Sequence, residues 1–121
     1  MAGKRILIVE DYPETVEMVK TFLTLKGFAV SVAMDGQAGL QTAQAEKPDM
    51  VLLDLMLPKL NGIEVLRKLK ENGATAKIPV IIITVRTESD EIKEAIALGA
   101  EYYIIKPFDV NDLFKIITRY I

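Results

Sequence analysis

Charged and hydroxyl side chains follow four of the five short apolar runs of this chain, at the point where each run ends. Glu10 and Asp11 follow the first run, Asp54 the third, Thr84 the fourth and Lys106 the fifth. Carboxylates about 4 Å apart repel by about 4 kcal/mol per pair at an effective dielectric of roughly 20, so three of them require protons or a cation. The chain has no His and no Cys, and an all-oxygen ligand set favours a hard cation such as Mg²⁺. Beside it, a lysine and a hydroxyl would bind a phosphoryl group, and a carboxylate would be the nucleophile that forms an acyl phosphate.

The apolar runs that position these residues alternate with segments of helical periodicity. Strands are predicted at residues 4–9, 28–33, 50–53, 79–83 and 102–105. Helices are predicted from Pro13 to a glycine cap at Gly27, at 38–46, at 63–71, from a Ser89 or Asp90 cap to Gly99, and at 109–120. Five strands alternating with five helices predict a three-layer α/β sandwich with a parallel sheet. Ligands bind such sheets outside the carboxyl ends of the strands, which is where the polar residues fall.

Helical spacing also predicts which side chains the last two helices turn toward the sheet. The last helix has four residues spaced for burial: Leu113, Ile116, Ile117 and Tyr120. The preceding helix has three residues on one face: Ile92, Ala95 and Ile96. Such stripes at a period of 3.6 residues are typical of helices that pack on a sheet or on another helix.

The length and composition fit one domain that spans residues 1–121. Half of the residues are hydrophobic, which excludes a disordered chain, and a net charge of −2 does not favour direct binding of nucleic acid. No apolar run approaches the ~20 residues that cross a bilayer, and the run after the basic N-terminus is too short for a secretion signal. We therefore expect a cytoplasmic protein without a membrane partner.

Several motifs are specific in combination, although each alone has an ordinary explanation such as a turn or a helix cap. They are, in chain order, Ile8-Val9-Glu10-Asp11, Leu52-Leu53-Asp54-Leu55-Met56-Leu57-Pro58 with Gly62 downstream, Thr84 after Ile81-Ile82-Ile83, Gly99-Ala100 and Lys106-Pro107-Phe108. With these motifs the sequence resembles, over essentially its whole length, the receiver domain of bacterial two-component response regulators. The resemblance implies a flavodoxin-like (βα)5 fold with sheet order 2-1-3-4-5.

The resemblance also implies a role for each residue of the acidic edge. Asp54 would be the phosphoacceptor. Mg²⁺ would be held by Glu10, Asp11, Asp54 and the backbone carbonyl of Met56. Asp11 would bind the ion directly and Glu10 mostly through water. Lys106 would pair with the phosphoryl group.

The resemblance also implies that phosphorylation would switch the domain between two conformations. Thr84 would swing to donate a hydrogen bond to the phosphoryl group, and Tyr103 would move between an outward and an inward rotamer. Tyr103 would thereby report the position of Thr84 on the surface formed by the last strand and its two flanking helices. The Lys106–Pro107 peptide bond would be cis.

The implied partners follow from this role. A histidine kinase or phosphotransfer protein would donate the phosphoryl group, and a downstream effector or effector domain would read the changed surface. A phosphorylation-linked homodimer is also consistent with the family. One subfamily builds an ionic dimer from an acidic residue followed four positions later by arginine. Asp112 matches the first position, but Ile116 stands at the second.

Three positions near the acceptor influence how long a phosphoryl group would last. Val85 follows Thr84, where the family usually has a smaller residue, and its stiff β-branched side chain should narrow the approach to Asp54. Met56 and Arg86 occupy two positions that commonly tune the phosphoryl lifetime. An apolar side chain such as that of Met56 cannot position an attacking water.

Three other functions compete with the switch. A Mg²⁺-dependent phosphatase of the haloacid dehalogenase type also forms an aspartyl phosphate, but it needs an acid two residues after the nucleophile, where this chain has Met56. A phosphorylation-independent interaction module with the same fold is disfavoured by the intact acidic edge. A flavodoxin-like FMN site needs a hydroxyl- and glycine-rich loop after the first strand, whereas Glu10-Asp11-Tyr12-Pro13 would repel a phosphate.

Overall fold

The computed structural model describes residues 3–85 and 90–121, in which strands and helices alternate. The strands are β1 (Arg5–Val9), β2 (Ala29–Ala33), β3 (Met50–Asp54), β4 (Val80–Thr84) and β5 (Tyr102–Ile105). The helices are α1 (Pro13–Leu25), α2 (Gly36–Glu46), α3 (Gly62–Glu71), α4 (Asp90–Ala97) and α5 (Val110–Tyr120). Across these residues, no helix combines the length and the apolar character that a membrane span requires.

The five strands form one parallel sheet in the order β2-β1-β3-β4-β5. Its registers bring the carboxyl ends of the inner strands side by side: Val9 pairs with Leu53, and Asp54 pairs with Ile83. Residues that end or follow these strands therefore meet at one edge of the sheet. The three-layer α/β fold and the strand order that the resemblance implied are both confirmed.

Two hydrophobic cores cover the two faces of the sheet. Helices α1 and α5 pack on one face through fully buried side chains such as Val19, Leu23 and Ile117. Helices α2, α3 and α4 pack on the other face, where Leu66 and Ala95 are fully buried. Strands β1, β3 and β4 are covered on both faces, so their sequences are continuous apolar runs rather than alternating ones. Burial of each Leu or Ile side chain contributes roughly 1.5–3 kcal/mol to the free energy of unfolding.

The predicted elements are all present, and their bounds agree with the prediction to within two residues. Asp54 and Thr84 are the last residues of β3 and β4, whereas the sequence placed them just beyond the strands. Helix α2 begins at Gly36, two residues before the predicted start, because the side chain of Asp35 caps it. Of the two candidate caps of α4, Ser89 lies outside the described residues.

Burial of the helical stripes is confirmed with two exceptions. Five of the seven predicted residues are buried: Ile92, Ala95, Leu113, Ile116 and Ile117. The expectation for Tyr120 was wrong, because its side chain is 36% exposed. The Tyr120 hydroxyl donates to the Glu101 carbonyl at 3.4 Å, so the ring lies at the β5 edge of the sheet rather than beneath it. Ile96 shares the face of α4 but is 42% exposed.

Candidate functional site

A cavity of about 510 Å³ opens at the carboxyl ends of β1, β3, β4 and β5. Its lining combines the acidic residues predicted from the sequence with an apolar rim. The lining residues are Glu10, Asp11, Tyr12, Thr15, Met18, Asp54, Met56, Val85, Lys106, Pro107 and Phe108. The parallel sheet therefore brings residues from four separate loops into one site.

Three carboxylates form the polar centre of this cavity. Glu10, Asp11 and Asp54 each offer an oxygen, and these oxygens all lie within 4.8 Å of one another. Glu10 and Asp54 are 1% and 5% exposed, whereas Asp11 is exposed. Charges this close and this buried repel strongly unless a cation offsets them. The donors are all oxygens and leave one side open to solvent at Asp11, which suits a hard divalent cation that keeps several waters.

Lys106 supplies positive charge to the same centre. Its Nζ lies 3.1 Å from Asp54 Oδ2 and also pairs with Glu10 Oε1. Burial raises the pKa of Glu10, and the neighbouring Asp54 charge adds to this, while the contact with Lys106 opposes it. Burial alone would lower the pKa of Lys106, but the hydrogen bond to Glu10 and the charge of Asp54 outweigh it and raise that pKa. The lysine is therefore held as a cation.

Backbone amides fix the orientation of two carboxylates. Glu10 Oε2 accepts hydrogen bonds from the amides of Asp11 at 3.0 Å and Tyr12 at 3.1 Å. Glu10 Oε1 instead pairs with the Lys106 ammonium. Asp54 Oδ1 accepts from the Met56 amide at 3.0 Å. One oxygen of each acid is thus held by the backbone while the other faces the centre of the site.

The chain folds back tightly just after Asp54. A Cβ on Gly62 would overlap the Asp54 carbonyl oxygen and lie 2.5 Å from Leu55 Cα. The Gly62 amide donates to the Leu55 carbonyl at 3.1 Å, and the Asn61 side chain caps α3 directly afterwards. A glycine is required here because two backbone segments touch. This contact fixes the position of the loop that carries Met56.

Two predicted site residues lie outside the cavity lining. Thr84 is fully buried at the end of β4, and its carbonyl accepts from the Lys106 amide at 2.7 Å. Tyr103 lies on β5 and is 39% exposed, with its ring 6.0 Å from that of Tyr102. The structure therefore brings Thr84 beside Lys106 through the backbone, while Tyr103 lies on the outer surface. The Lys106–Pro107 bond is cis, as the resemblance implied.

The apolar rim was only partly expected from the sequence. Val85 lines the cavity and is 55% exposed, in agreement with its expected place beside the acceptor. Tyr12, Met18 and Phe108 also line it, although none was singled out as a site residue. The sequence signal that could have found them was their position. Tyr12 and Phe108 lie in the loops after β1 and β5, and Met18 lies about one turn into α1. Arg86 lies outside the described residues.

Comparison with known proteins gives the family. A family described as "Response regulator receiver domain" matches residues 6–118. The chain belongs to this family. Receiver domains are phosphoacceptor signalling modules of two-component systems rather than enzymes, and membership implies a histidine kinase partner.

Curated relatives support the assignment at the sequence level. The receiver is 38% identical over 109 residues to response regulator ArlR of Staphylococcus haemolyticus, covering 90% of this chain and 48% of the relative. It is 39% identical over 108 residues to ArlR of Staphylococcus epidermidis, covering 89% and 48%. The chain therefore spans about half the length of these relatives.

Solved structures agree closely with the receiver fold. The receiver domain of the sensor histidine kinase PA1611 of Pseudomonas aeruginosa has a TM-score of 0.91 at 28% identity, with 98% of each chain covered. That structure has a magnesium ion coordinated in its active site cleft. The chemotaxis protein CheY4 of Vibrio cholerae has a TM-score of 0.92 at 28% identity, covering 99% of this chain and all of that one.

Proposed function

We propose that this receiver is a phosphorylation-dependent switch whose acceptor is Asp54. The observation that carries the proposal is the meeting of three carboxylate oxygens within 4.8 Å of one another, with the Lys106 ammonium paired to two of those acids. Asp54 Oδ1 is held by the Met56 amide at 3.0 Å, while Oδ2 lies 3.1 Å from the Lys106 ammonium. Its orientation is therefore set before a donor arrives, which reduces the entropic cost of attack.

The proposed step transfers a phosphoryl group to a carboxylate oxygen. Asp54 Oδ attacks the phosphorus of a phosphohistidine on a histidine kinase or phosphotransfer protein, the P–O bond forms, and the P–N bond breaks. The imidazole leaves with the electron pair of that bond and takes up a proton. Lys106, 3.1 Å from Asp54 Oδ2, is placed to offset the charge that gathers on the phosphoryl oxygens.

The acidic residues also fit a Mg²⁺ ion. We assign its ligands to Asp11 and Asp54 directly, to Glu10 mostly through water, and to the backbone carbonyl of Met56. The three carboxylate oxygens within 4.8 Å of one another support this, as does the all-oxygen donor set. When bound, the ion supplies positive charge that neutralises the acids and the phosphoryl oxygens.

The switch would act through β4 and β5. A phosphoryl group adds about −2 of charge, which favours a conformer in which the Thr84 hydroxyl and the Lys106 ammonium both reach it. The Lys106 amide already donates to the Thr84 carbonyl at 2.7 Å, so the two residues are coupled through the backbone. Tyr103, on the same strand β5, would pass this change to the surface of α4, β5 and α5.

The wider setting is part of the same proposal. Residues 1–121 form one receiver domain that works in the cytoplasm, receives its phosphoryl group from a histidine kinase or phosphotransfer protein, and controls an effector or effector domain. The proposal includes a phosphorylation-linked homodimer as one way in which the receiver controls its effector. Direct contact with nucleic acid by these residues is disfavoured by the net charge of −2.

The proposal is tested by intact mass measurement after incubation with a small-molecule acyl phosphate donor. We expect the wild-type protein to gain the mass of one phosphoryl group when Mg²⁺ is present and to remain unmodified with a chelator. The adduct should be lost in mild base, as an acyl phosphate is. Equal modification with and without the divalent cation, or a base-stable adduct, would contradict the proposal.

A second expectation concerns access to the acceptor. Val85 lines the cavity beside Asp54, and both the donor and the water that later hydrolyses the acyl phosphate need a clear line to phosphorus. We expect Val85→Ala to raise the rates of phosphorylation and of spontaneous dephosphorylation each by about threefold, or roughly 0.7 kcal/mol of barrier. Time-resolved mass measurement follows both rates. Val30→Ala, on β2, is the control, and unchanged rates in Val85→Ala would refute the steric explanation.

A further inference from the structure

The turn between β2 and α2 packs directly on the loop between β3 and α3. A Cβ on Gly36 would overlap the Leu60 carbonyl oxygen and lie 2.6 Å from the Leu60 carbonyl carbon. The Gly36 amide also donates to the Pro58 carbonyl at 3.4 Å. The neighbours are backbone atoms, which cannot rotate away as a side chain would. The first residue of α2 therefore limits how closely residues 58–60 approach the start of that helix.

Two further contacts make this packing specific. Asp35 caps α2 by accepting a hydrogen bond from the Ala38 amide at 2.8 Å. Its other oxygen lies 3.7 Å from Lys59 Nζ. Lys59 itself adopts a left-handed backbone with φ of 67°. The helix start and the loop are thus joined by a backbone contact and a charge contact.

The same loop carries the groups that hold the acceptor. At its far end, Gly62 sits against the Asp54 and Leu55 backbone with no room for a Cβ. Near its start, the Met56 amide holds Asp54 Oδ1 at 3.0 Å. Residues 55–61 are therefore clamped at Gly62 and at Leu60, and a displacement at either clamp must be taken up by the short segment that contains Met56.

We infer that Gly36 is a positioning residue for the cation and acceptor site, although it does not line the cavity. It acts through Leu60 and the β3–α3 loop on the placement of Met56 and Asp54. The inference rests on the proposed function, because the property it sets is the affinity of the acidic cluster for a divalent cation. The turn between β2 and α2 thereby affects a site that neither Asp35 nor Gly36 lines.

The test is the affinity of Gly36→Ala for Mg²⁺ alone, measured by titration calorimetry. The added methyl group must push the Leu60 carbonyl away, so we expect the dissociation constant to rise about tenfold, the range seen for residues that support metal ligands. Amide NMR shifts should change at Met56 and Leu57 in the metal-free protein. If Gly36→Ala does not fold, Asp35→Ala loosens the same contact without a clash. We then expect a rise of about threefold, below the roughly 10–100-fold seen for residues that contact the metal ligands themselves.

Two control variants separate positioning from stability. A Cβ on Gly73 would meet nothing within 4 Å, so Gly73→Ala should bind Mg²⁺ as the wild type does. Thr75→Val removes the buried hydrogen bond from Thr75 Oγ1 to the Leu69 carbonyl at 2.7 Å and should lower stability without changing the affinity. If the wild type binds Mg²⁺ and the Gly36 and Asp35 variants bind it equally well, the inference is wrong and the proposed function stands. A wild type that binds no divalent cation overturns both.

Discussion

Asp54→Asn is expected to abolish phosphoryl acceptance. The amide oxygen is a far weaker nucleophile than a carboxylate oxygen, so the phosphorylated fraction should fall below detection. The fold should survive, because an amide oxygen can still accept from the Met56 amide, which lies 3.0 Å from Asp54 Oδ1. Intact mass after a small-molecule donor with Mg²⁺ measures the effect directly.

A matched control for this variant lies at the opposite end of the sheet. Asp49 accepts a hydrogen bond from the Arg5 amide at 2.8 Å, just before β3 begins. Asp49→Asn makes the same chemical change far from the cavity and should leave phosphorylation intact. A phosphoryl group on Asp54→Asn under conditions that modify the wild type would show that another residue is the acceptor.

Thr84→Ala and Lys106→Ala are expected to separate acceptance from switching. Neither residue is the nucleophile, so each variant should still be phosphorylated to some extent. Each should lose essentially all of the surface change, because the active conformer needs both contacts to the phosphoryl group. The measurement is the change in amide NMR shifts of Tyr103 and of α5 when beryllofluoride, a phosphoryl mimic, is added with Mg²⁺.

Exposed residues of the same types provide the comparison. Thr24 on α1 and Lys77 before β4 are both exposed and lie outside the cavity lining. Thr24→Ala and Lys77→Ala should show the full wild-type shift changes at Tyr103 and α5. If Thr84→Ala or Lys106→Ala also showed the full changes, Thr84 and Lys106 would not couple the acceptor to the surface.

Most of the fold could be predicted from the sequence because the signals are local. The continuous apolar runs at β1, β3 and β4 are typical of parallel strands covered on both faces. The helix bounds follow from caps such as Asp35 and Asn61 and from the stripe of apolar residues. Tyr120 was misjudged because spacing gives the face of a helix but not how far the sheet extends beneath it. β5 is the edge strand of the sheet that the described residues form, so no further strand of that sheet covers the ring.

The sequence predicts which residues form the candidate site, but not the contacts that they make with one another. Strand ends of a parallel sheet meet at one edge, which brings Glu10, Asp54 and Lys106 together in both the prediction and the structure. Glu10 Oε2 accepts hydrogen bonds from two backbone amides. These bonds depend on the geometry of the turn after β1, which composition does not encode. The Gly36 contact with Leu60 joins residues 24 positions apart, and only the packed fold shows it.

Chemical mapping of the phosphorylated residue tests the central claim most directly. Borohydride reduces an acyl phosphate to the alcohol with release of phosphate, which converts a phosphorylated aspartate to homoserine. After phosphorylation with Mg²⁺, reduction and peptide mass analysis, we predict homoserine at position 54 and unmodified carboxylates at Glu10 and Asp11. Reduction products at Glu10 or Asp11, or an unreduced Asp54 in protein that carries a phosphoryl group, would contradict the assignment of Asp54 as the phosphoacceptor.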